Sequence, residues 1–434
     1  MSRLWTKLPR RDVRNSVLAV FITSGLIFLS YITISKDNVQ SSRFPLKHEE
    51  SFATSPPMPF KEQRHESMYD RVTRVANICR KPDTKYYFKT APITDSRHFL
   101  YNITGVCSCT VPKAASTSMK RLLLMAEFPE KADTFWNMPG NLLHAYKRDT
   151  ESCTDNPGFS FFVTRNPYER LYSAYIDKIF LEKFEDVAVL LDAVYVKKVY
   201  SHLITRTTSA LLAYTRAHGY YCQVANASFE HFLNFVANAK HIDPHYSPVS
   251  LLCNPCAHPV NYIFKQENLE RESETLVDYL RETLQSNATF KDMELHLPNY
   301  IGNSGISHHI QTYHDVWKMR LMRNHCKLNT VSYREIWERL WQSLKISGNI
   351  NETLEFKPKL FQGKGIILKS PERIIKDFKF VEELPVLSKE ARARQRRKFL
   401  VEAYSKVSAS TLKKIQKLFR LDFEMFGYDL QPPI

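Results

Sequence analysis

The chain has 434 residues, with 61 Lys and Arg against 45 Asp and Glu, a formal net charge of +16. A length of this order allows one large globular unit or two ordinary ones. The cationic excess excludes a polyanionic surface and points to partners bearing phosphate, sulfate or carboxylate, without choosing among them.

Residues 1–15 carry Arg3, Lys7, Arg10, Arg11 and Arg14 and lead into residues 16–35, an uncharged apolar run. About 20 such residues, rising ~1.5 Å each as a helix, cross a hydrocarbon core of ~30 Å. Residues 16–35 are therefore expected to form a transmembrane signal anchor, since the run exceeds the h-region of a cleaved signal peptide. The basic flank leaves residues 1–15 as a cytoplasmic tail and sends the rest into the secretory lumen, a type II topology. Nucleic acid is a poor partner for such a chain.

Residues 36–67 are polar and proline-bearing and read as a luminal stem. Residues 68–434 show recurrent apolar and aromatic positions without another long polar break, and read as one luminal domain. Sequons at Asn102, Asn226, Asn287 and Asn351 fit luminal exposure. Eight cysteines, Cys79, Cys107, Cys109, Cys153, Cys222, Cys253, Cys256 and Cys326, are expected to form disulfides there, with the pairing open. Zinc at the Cys253-x-x-Cys256 pair would need a second ligand pair at suitable spacing, and a disulfide role is favoured.

Two segments read as strand, loop and helix in succession, the unit of parallel α/β sheets. In the first, Val106–Val111 has strand character, Pro112-Lys-Ala-Ala-Ser-Thr-Ser118 forms a loop, and Met119, Leu122, Leu123 and Ala126 recur at helical spacing. The loop opens onto a helix amino terminus, where backbone N–H groups, the Lys113 charge and the Ser116, Thr117 and Ser118 hydroxyls suit an anion. A capped surface helix is the alternative for this segment alone. The order of residues differs from G-x-x-x-x-G-K-[ST], because Lys113 comes first and the glycines are missing.

In the second segment, Gly158–Thr164 reads as a buried strand and Arg165-Asn-Pro-Tyr-Glu-Arg-Leu-Tyr-Ser-Ala-Tyr175 starts a helix. Asn166 is placed to cap, Pro167 suits the first helical position, and Glu169 is expected to close a capping box. Tyr168, Leu171, Tyr172, Tyr175 and Ile179 form the apolar stripe, leaving Ser173 off it and Arg165 at the strand's end. The planar Arg fork suits a phosphate at the carboxyl edge of a sheet.

Together, VPKAASTSMKR and FFVTRNPYERLYSAYIDKIF resemble the 5′-phosphosulfate-binding and 3′-phosphate-binding motifs of Golgi carbohydrate sulfotransferases, in the branch of chondroitin and dermatan 4-O-sulfotransferases and the natural-killer-epitope sulfotransferase. Ser228–Leu233, His241–Pro248, Leu252–Cys256 with Asn261–Lys265, and Asp422–Tyr428 extend the resemblance. It implies an α/β fold, a mainly parallel sheet flanked by helices, and a Golgi membrane location. It implies 3′-phosphoadenosine 5′-phosphosulfate as the sulfate donor and a glycan, acidic or neutral and chondroitin-like, as the acceptor, with no metal. By the same resemblance Pro112, Lys113, Ala114, Ala115, Ser116, Thr117 and Ser118 hold the 5′-phosphosulfate, and Arg165 and Ser173 hold the 3′-phosphate. The chain departs from the branch at Ala114-Ala-Ser-Thr-Ser-Met119, which lacks an aromatic found there, and the region after Ile301 matches little.

Sulfuryl transfer needs stabilisation of the group in flight and a base for the acceptor's proton. Lys113 is the candidate for the bridging oxygen and His245, in an Asp-x-His-Tyr-x-Pro setting, for the base, with His144 and His241 as competitors. The basic residues Arg392, Arg394, Arg396, Arg397, Lys398, Lys413, Lys414 and Lys417 flank Leu412, Ile415 and Leu418 as a solvated helix face, or as a track for an acidic glycan. A luminal kinase would add metal-binding carboxylates near its catalytic loop, and none is evident. A non-catalytic glycan-binding membrane glycoprotein is the rival class.

Overall fold

The computed structural model describes residues 66–92, 94, 100–103, 106–138, 142–143, 158–198, 208–283, 306–327, 331–357 and 387–433. The expected tail, the anchor over 16–35 and nearly all of the stem lie outside the described residues, as do His144, Cys153 and Asn287. Among the described residues no helix is long and apolar enough to cross a membrane.

Helices α1 (Met68–Cys79) and α2 (Pro82–Thr90) precede strands β1 (Leu100–Ile103) and β2 (Val106–Cys109). Next come α3 (Ser116–Glu127), α4 (Ala132–Asn137), β3 (Phe159–Thr164) and α5 (Pro167–Ala174), which continues as a π-turn over Tyr175–Phe180. Helix α6 (Glu185–Leu191), itself followed by a π-turn over Asp192–Val196, then α7 (Thr208–Ala217), α8 (Phe229–Asn238) and α9 (Val249–Cys253) lead to β4 (Tyr262–Lys265). The remaining described helices are α10 (Leu269–Glu272), α11 (Glu274–Thr283), α12 (Ile306–Arg323), α13 (Tyr333–Ile346), α14 (Lys389–Ser405), α15 (Ala409–Leu418) and α16 (Arg420–Phe426).

The strands form one sheet in the order β1-β2-β3-β4, with β1 antiparallel to β2 and β2, β3 and β4 mutually parallel. This is the mainly parallel α/β architecture expected. Every residue of β2 and β3 is buried, which is why Phe-Ser-Phe-Phe-Val-Thr reads as a continuous run: helices cover both faces of such strands. Cys109 lies opposite Phe162, two residues short of the end of β3, and Thr164 lies opposite Lys265, so β2 and β3 both end toward the same edge of the sheet. The loops after them therefore share the carboxyl edge, where ligands of open α/β sheets bind.

Three apolar clusters form the core. One joins the sheet to α1, α3, α11 and α16, and a second joins α5 and its π-turn to α8, α14 and α15. The third, built on Trp317, Trp337 and Trp341, packs α12 against α13. A fully buried ion pair ties the third to the chain just after the π-turn: Arg320 donates to Glu182 at 2.6 Å and to the Tyr221 and Gln223 carbonyls at 2.7 and 2.9 Å.

Disulfides link Cys79 to Cys256, Cys109 to Cys253, and Cys222 to Cys326, and Cys107 is disulfide-bonded as well. The Cys253-x-x-Cys256 pair thus serves two separate bridges. Asn254 takes a left-handed φ of 40° between them and turns the chain, so that Cys253 meets β2 while Cys256 meets α1.

Candidate active site

Strand β2 is anchored at its end by the Cys109–Cys253 bridge, and the chain then turns through Val111–Ala115 into α3. Lys113 and Ala115 adopt left-handed backbone with φ of 66° and 57°. For residues other than glycine that conformation costs of order 1 kcal/mol or more and is retained where the surroundings impose it. Ala115 occupies the N-cap position of α3 and contributes no side-chain cap. The twelve-residue helix therefore presents its amino terminus, with Ser116, Thr117 and Ser118 in the first turn, without the side-chain acceptor that most helices place there. Met119, Leu122, Leu123 and Ala126 are buried and fix it against the sheet.

The helix after β3 begins differently. Asn166 accepts from the Tyr168 and Glu169 amides at 2.9 and 3.4 Å, and its own N–H donates to Glu267 at 2.8 Å. The expected capping box does not close through Glu169. Because Glu267 already meets the cap amide, Glu169 is left to pair with Arg165 at 3.3 Å. The other arm of Arg165 donates to the Lys113 carbonyl at 3.2 Å, so the second segment holds the loop of the first. Glu169, Ser173 and Asp177 recur at four-residue spacing and so share one helix face. Ser173 is half-buried on that face.

Asp177 lies in the π-turn. Such turns occur often at functional sites. Its carboxylate receives Lys113, Lys183 at 2.5 Å and Lys178 at 3.3 Å. Burial lowers the Lys113 ammonium to about 8; Asp177 opposes that shift, and Lys178 and Lys183 reinforce it. Burial alone would raise the Asp177 carboxyl, but the three lysines hold it well below the usual carboxylate range.

His245 stands in the turn before α9. Its Nδ1 lies 2.7 Å from the Asp243 carboxylate, which also accepts the His245 amide at 2.9 Å. With Nδ1 as the donor to Asp243, Nε2 carries the free lone pair. Burial and Lys178 push the imidazole down from 6.5, with Lys113 adding to them against Asp243. His245 is thus neutral at pH 7. The Phe184 ring meets it edge-on at 5.2 Å and carries Lys178 over its face at 4.7 Å.

Arg170 joins the two halves. It is 1% exposed, donates to the Pro112 carbonyl at 2.9 Å and the Pro244 carbonyl at 2.8 Å, and also reaches the Ser247 carbonyl. One guanidinium thus fixes the residue before Lys113 and both sides of His245. Val249 and Ser250 amides cap α9 on the buried Asp422 carboxylate at 2.7 and 2.8 Å, which explains a chemical use for the Asp422–Tyr428 segment.

The structure thus brings Lys113, Arg165 and His245 to one edge and sets Ser173 on the same helix face as Asp177. Sequence reasoning missed Arg170 and Asp177 as parts of the site and read Asp243 only as part of the motif around His245. Each left a signal: Arg170 is a charge one residue from the apolar stripe, Asp177 follows Ser173 by one turn, and Asp243 precedes His245 by two. Arg396 of α14 feels the charges of Arg165 and Glu169, whereas Lys413, Lys414 and Lys417 of α15 are solvated and Ile415 is buried. Of the sequons, Asn102 lies in β1, Asn226 is exposed before α8, and Asn351 is half-buried in the turn after α13.

The sequence pattern of the Sulfotransferase family matches residues 98–335, more than half of the chain and all of Lys113, Arg165, Ser173 and His245. The chain belongs to that family. It is 26% identical over 208 residues to carbohydrate sulfotransferase 10 of Danio rerio, covering 42% of this chain and 53% of that protein. It is 24% identical over 201 residues to carbohydrate sulfotransferase 14 of Mus musculus, covering 44% and 46%. A further similarity, to carbohydrate sulfotransferase 12 of Mus musculus, is 24% over 237 residues and covers 48% and 50%. The chain spans about half the length of the curated relatives it matches. No solved structure matches it.

Proposed function

We propose that this sulfotransferase-family chain moves the sulfuryl group of 3′-phosphoadenosine 5′-phosphosulfate to a hydroxyl of a glycan, of the chondroitin-like glycosaminoglycan class. The observation that carries the reading is the Arg170 bridge, which sets an uncapped helix amino terminus and Lys113 beside a neutral, Asp-oriented histidine. The names of the relatives support a carbohydrate acceptor.

In this reading the Pro112–Ser118 loop receives the 5′-phosphosulfate, and Arg165 and Ser173 receive the 3′-phosphate. His245 Nε2 takes the acceptor's proton as its oxygen forms a bond to sulfur and the bridging S–O bond breaks. Lys113 stabilises the charge that develops on the departing phosphate oxygen. Adenosine 3′,5′-bisphosphate and the sulfated glycan leave. The cationic excess of the site suits both an anionic donor and an anionic glycan.

The apolar length of residues 16–35 and the basic flank support a type II anchor in the Golgi membrane, with residues 68–434 as the luminal catalytic unit. The test is to incubate the full-length chain with radiolabelled sulfate donor and a panel of desulfated glycosaminoglycans and N-glycans. Label in a glycan is expected, strongest in chondroitin. Failure to label any member, with a folded chain, contradicts the reading and leaves a glycan-binding role.

A further inference from the structure

We propose that Asp177 is a positioning residue for this reaction, holding the Lys113 ammonium between turnovers and releasing it to the anionic donor. The inference rests on the role given to Lys113 above. Three lysines share the one Asp177 carboxylate, and the four side chains retain only 14–21% of their exposure. In such surroundings an ion pair is screened less than at the surface, and a lone charge is costly.

The arrangement meets both requirements of a handover. Lys113 leaves the backbone from a left-handed residue whose carbonyl is held by Arg165, so the root of its side chain is fixed. When an anionic phosphosulfate draws the ammonium away, Asp177 is not stranded, because Lys183 at 2.5 Å and Lys178 at 3.3 Å still neutralise it. The charged groups facing Lys113 are Asp177, Lys178 and Lys183 from the π-turn and the chain after it, His245 with Asp243 from the turn before α9, and Arg165 across the loop carbonyl. Arg165 is itself paired with Glu169, but at Asp177 three ammonium groups face one carboxylate, so an incoming anion competes successfully for one of them.

The experiment compares the full-length chain with its Asp177→Asn and Lys183→Met variants, using radiolabelled donor and whichever glycan of the panel the wild-type chain labels. Rates are recorded against pH, and affinity for adenosine 3′,5′-bisphosphate is measured by calorimetry at pH 6.5. Asp177→Asn is expected to lower kcat/KM for the donor at least about tenfold and to move the alkaline limb of kcat/KM down by about one pH unit, since removal of an opposite charge at this distance shifts a titration by ~1–3 units. Its bisphosphate affinity should stay within about threefold, and Asp177→Glu should recover most of the rate. Lys183→Met relieves repulsion and strengthens the hold of Asp177 on Lys113, so it should move the limb up and raise the donor KM.

Alkaline limbs that do not move, or that move in the same direction in both variants, overturn the proposal. Should Asp177→Asn not fold, the direction of the Lys183→Met shift decides alone. A wild-type chain that labels no glycan and binds no bisphosphate defeats the functional reading itself, which distinguishes the two failures.

Discussion

The two helices at the carboxyl edge of the sheet follow parallel neighbouring strands, yet they begin in opposite ways. Helix α5 is fully dressed, with Asn166 accepting two amides, Glu267 accepting the cap amide and Pro167 needing none. Helix α3 begins at a left-handed alanine with no side-chain cap. A helix start satisfied by its own side chains can offer a ligand only what neighbouring residues project, here Arg165 and Ser173. One left without a cap can offer its backbone. The first segment is therefore suited to hold an anion by N–H groups and the second by side chains.

The largest effect is expected where the two segments are tied together. Arg170→Met leaves the Pro112, Pro244 and Ser247 carbonyls without their donor. Buried unpaired polar groups cost about 1–3 kcal/mol each, and a displacement of about 1 Å at the reacting groups costs roughly 100-fold in rate. Transfer should fall by at least that factor and the denaturation midpoint should drop; an unchanged rate would separate the loop from the histidine turn. Lys113→Met comes next, with a loss of about 100-fold in kcat and bisphosphate binding retained within about tenfold, measured by single-turnover kinetics and calorimetry.

The pH profile sharpens the same contrast. The His245 pKa is lowered from 6.5, so the base stays unprotonated down to below that pH and the acid limb should lie there. The Lys113 pKa is lowered to about 8, so its positive charge is lost as pH rises through that value and the donor-free chain should bind bisphosphate more weakly above it. Bound donor opposes that loss by stabilising the ammonium, and proton uptake on binding near pH 8 is the expected signature. Two smaller effects separate the helix starts. Ala115→Val forces a β-branched residue into left-handed backbone at about 1–3 kcal/mol and should weaken bisphosphate binding. Asn166→Ala removes a cap worth about 1 kcal/mol, lowering thermal stability with little change in that binding.

The two strand-loop-helix segments around β2 and β3 were legible because their signals are local. Buried strands are continuous apolar runs, and Asn166-Pro167 marks a helix start whatever surrounds it. Lys113, Arg165 and His245 could be chosen by residue type and by resemblance. The roles of Arg170 and Asp177 could not, since they depend on partners 58 to 77 and 64 residues away along the chain. The Glu169 capping box was misread for the same reason: its competitor, Glu267, lies 101 residues from the cap. The left-handed Lys113 and Ala115 carry no glycine to announce them. Disulfide pairing was equally hidden, because the sequence places Cys253 and Cys256 together while the fold sends them to β2 and α1.

The uncapped start of α3 and Arg165 are proposed to form one site for a nucleotide with phosphates at both ends of its ribose. Calorimetric titration of the full-length chain with adenosine 3′,5′-bisphosphate and with adenosine 5′-monophosphate tests it most directly. Tight binding of the bisphosphate is expected, with binding at least about tenfold weaker for the monophosphate and loss of that difference in Arg165→Met. Equal binding of the two nucleotides, or no binding of either, would contradict it.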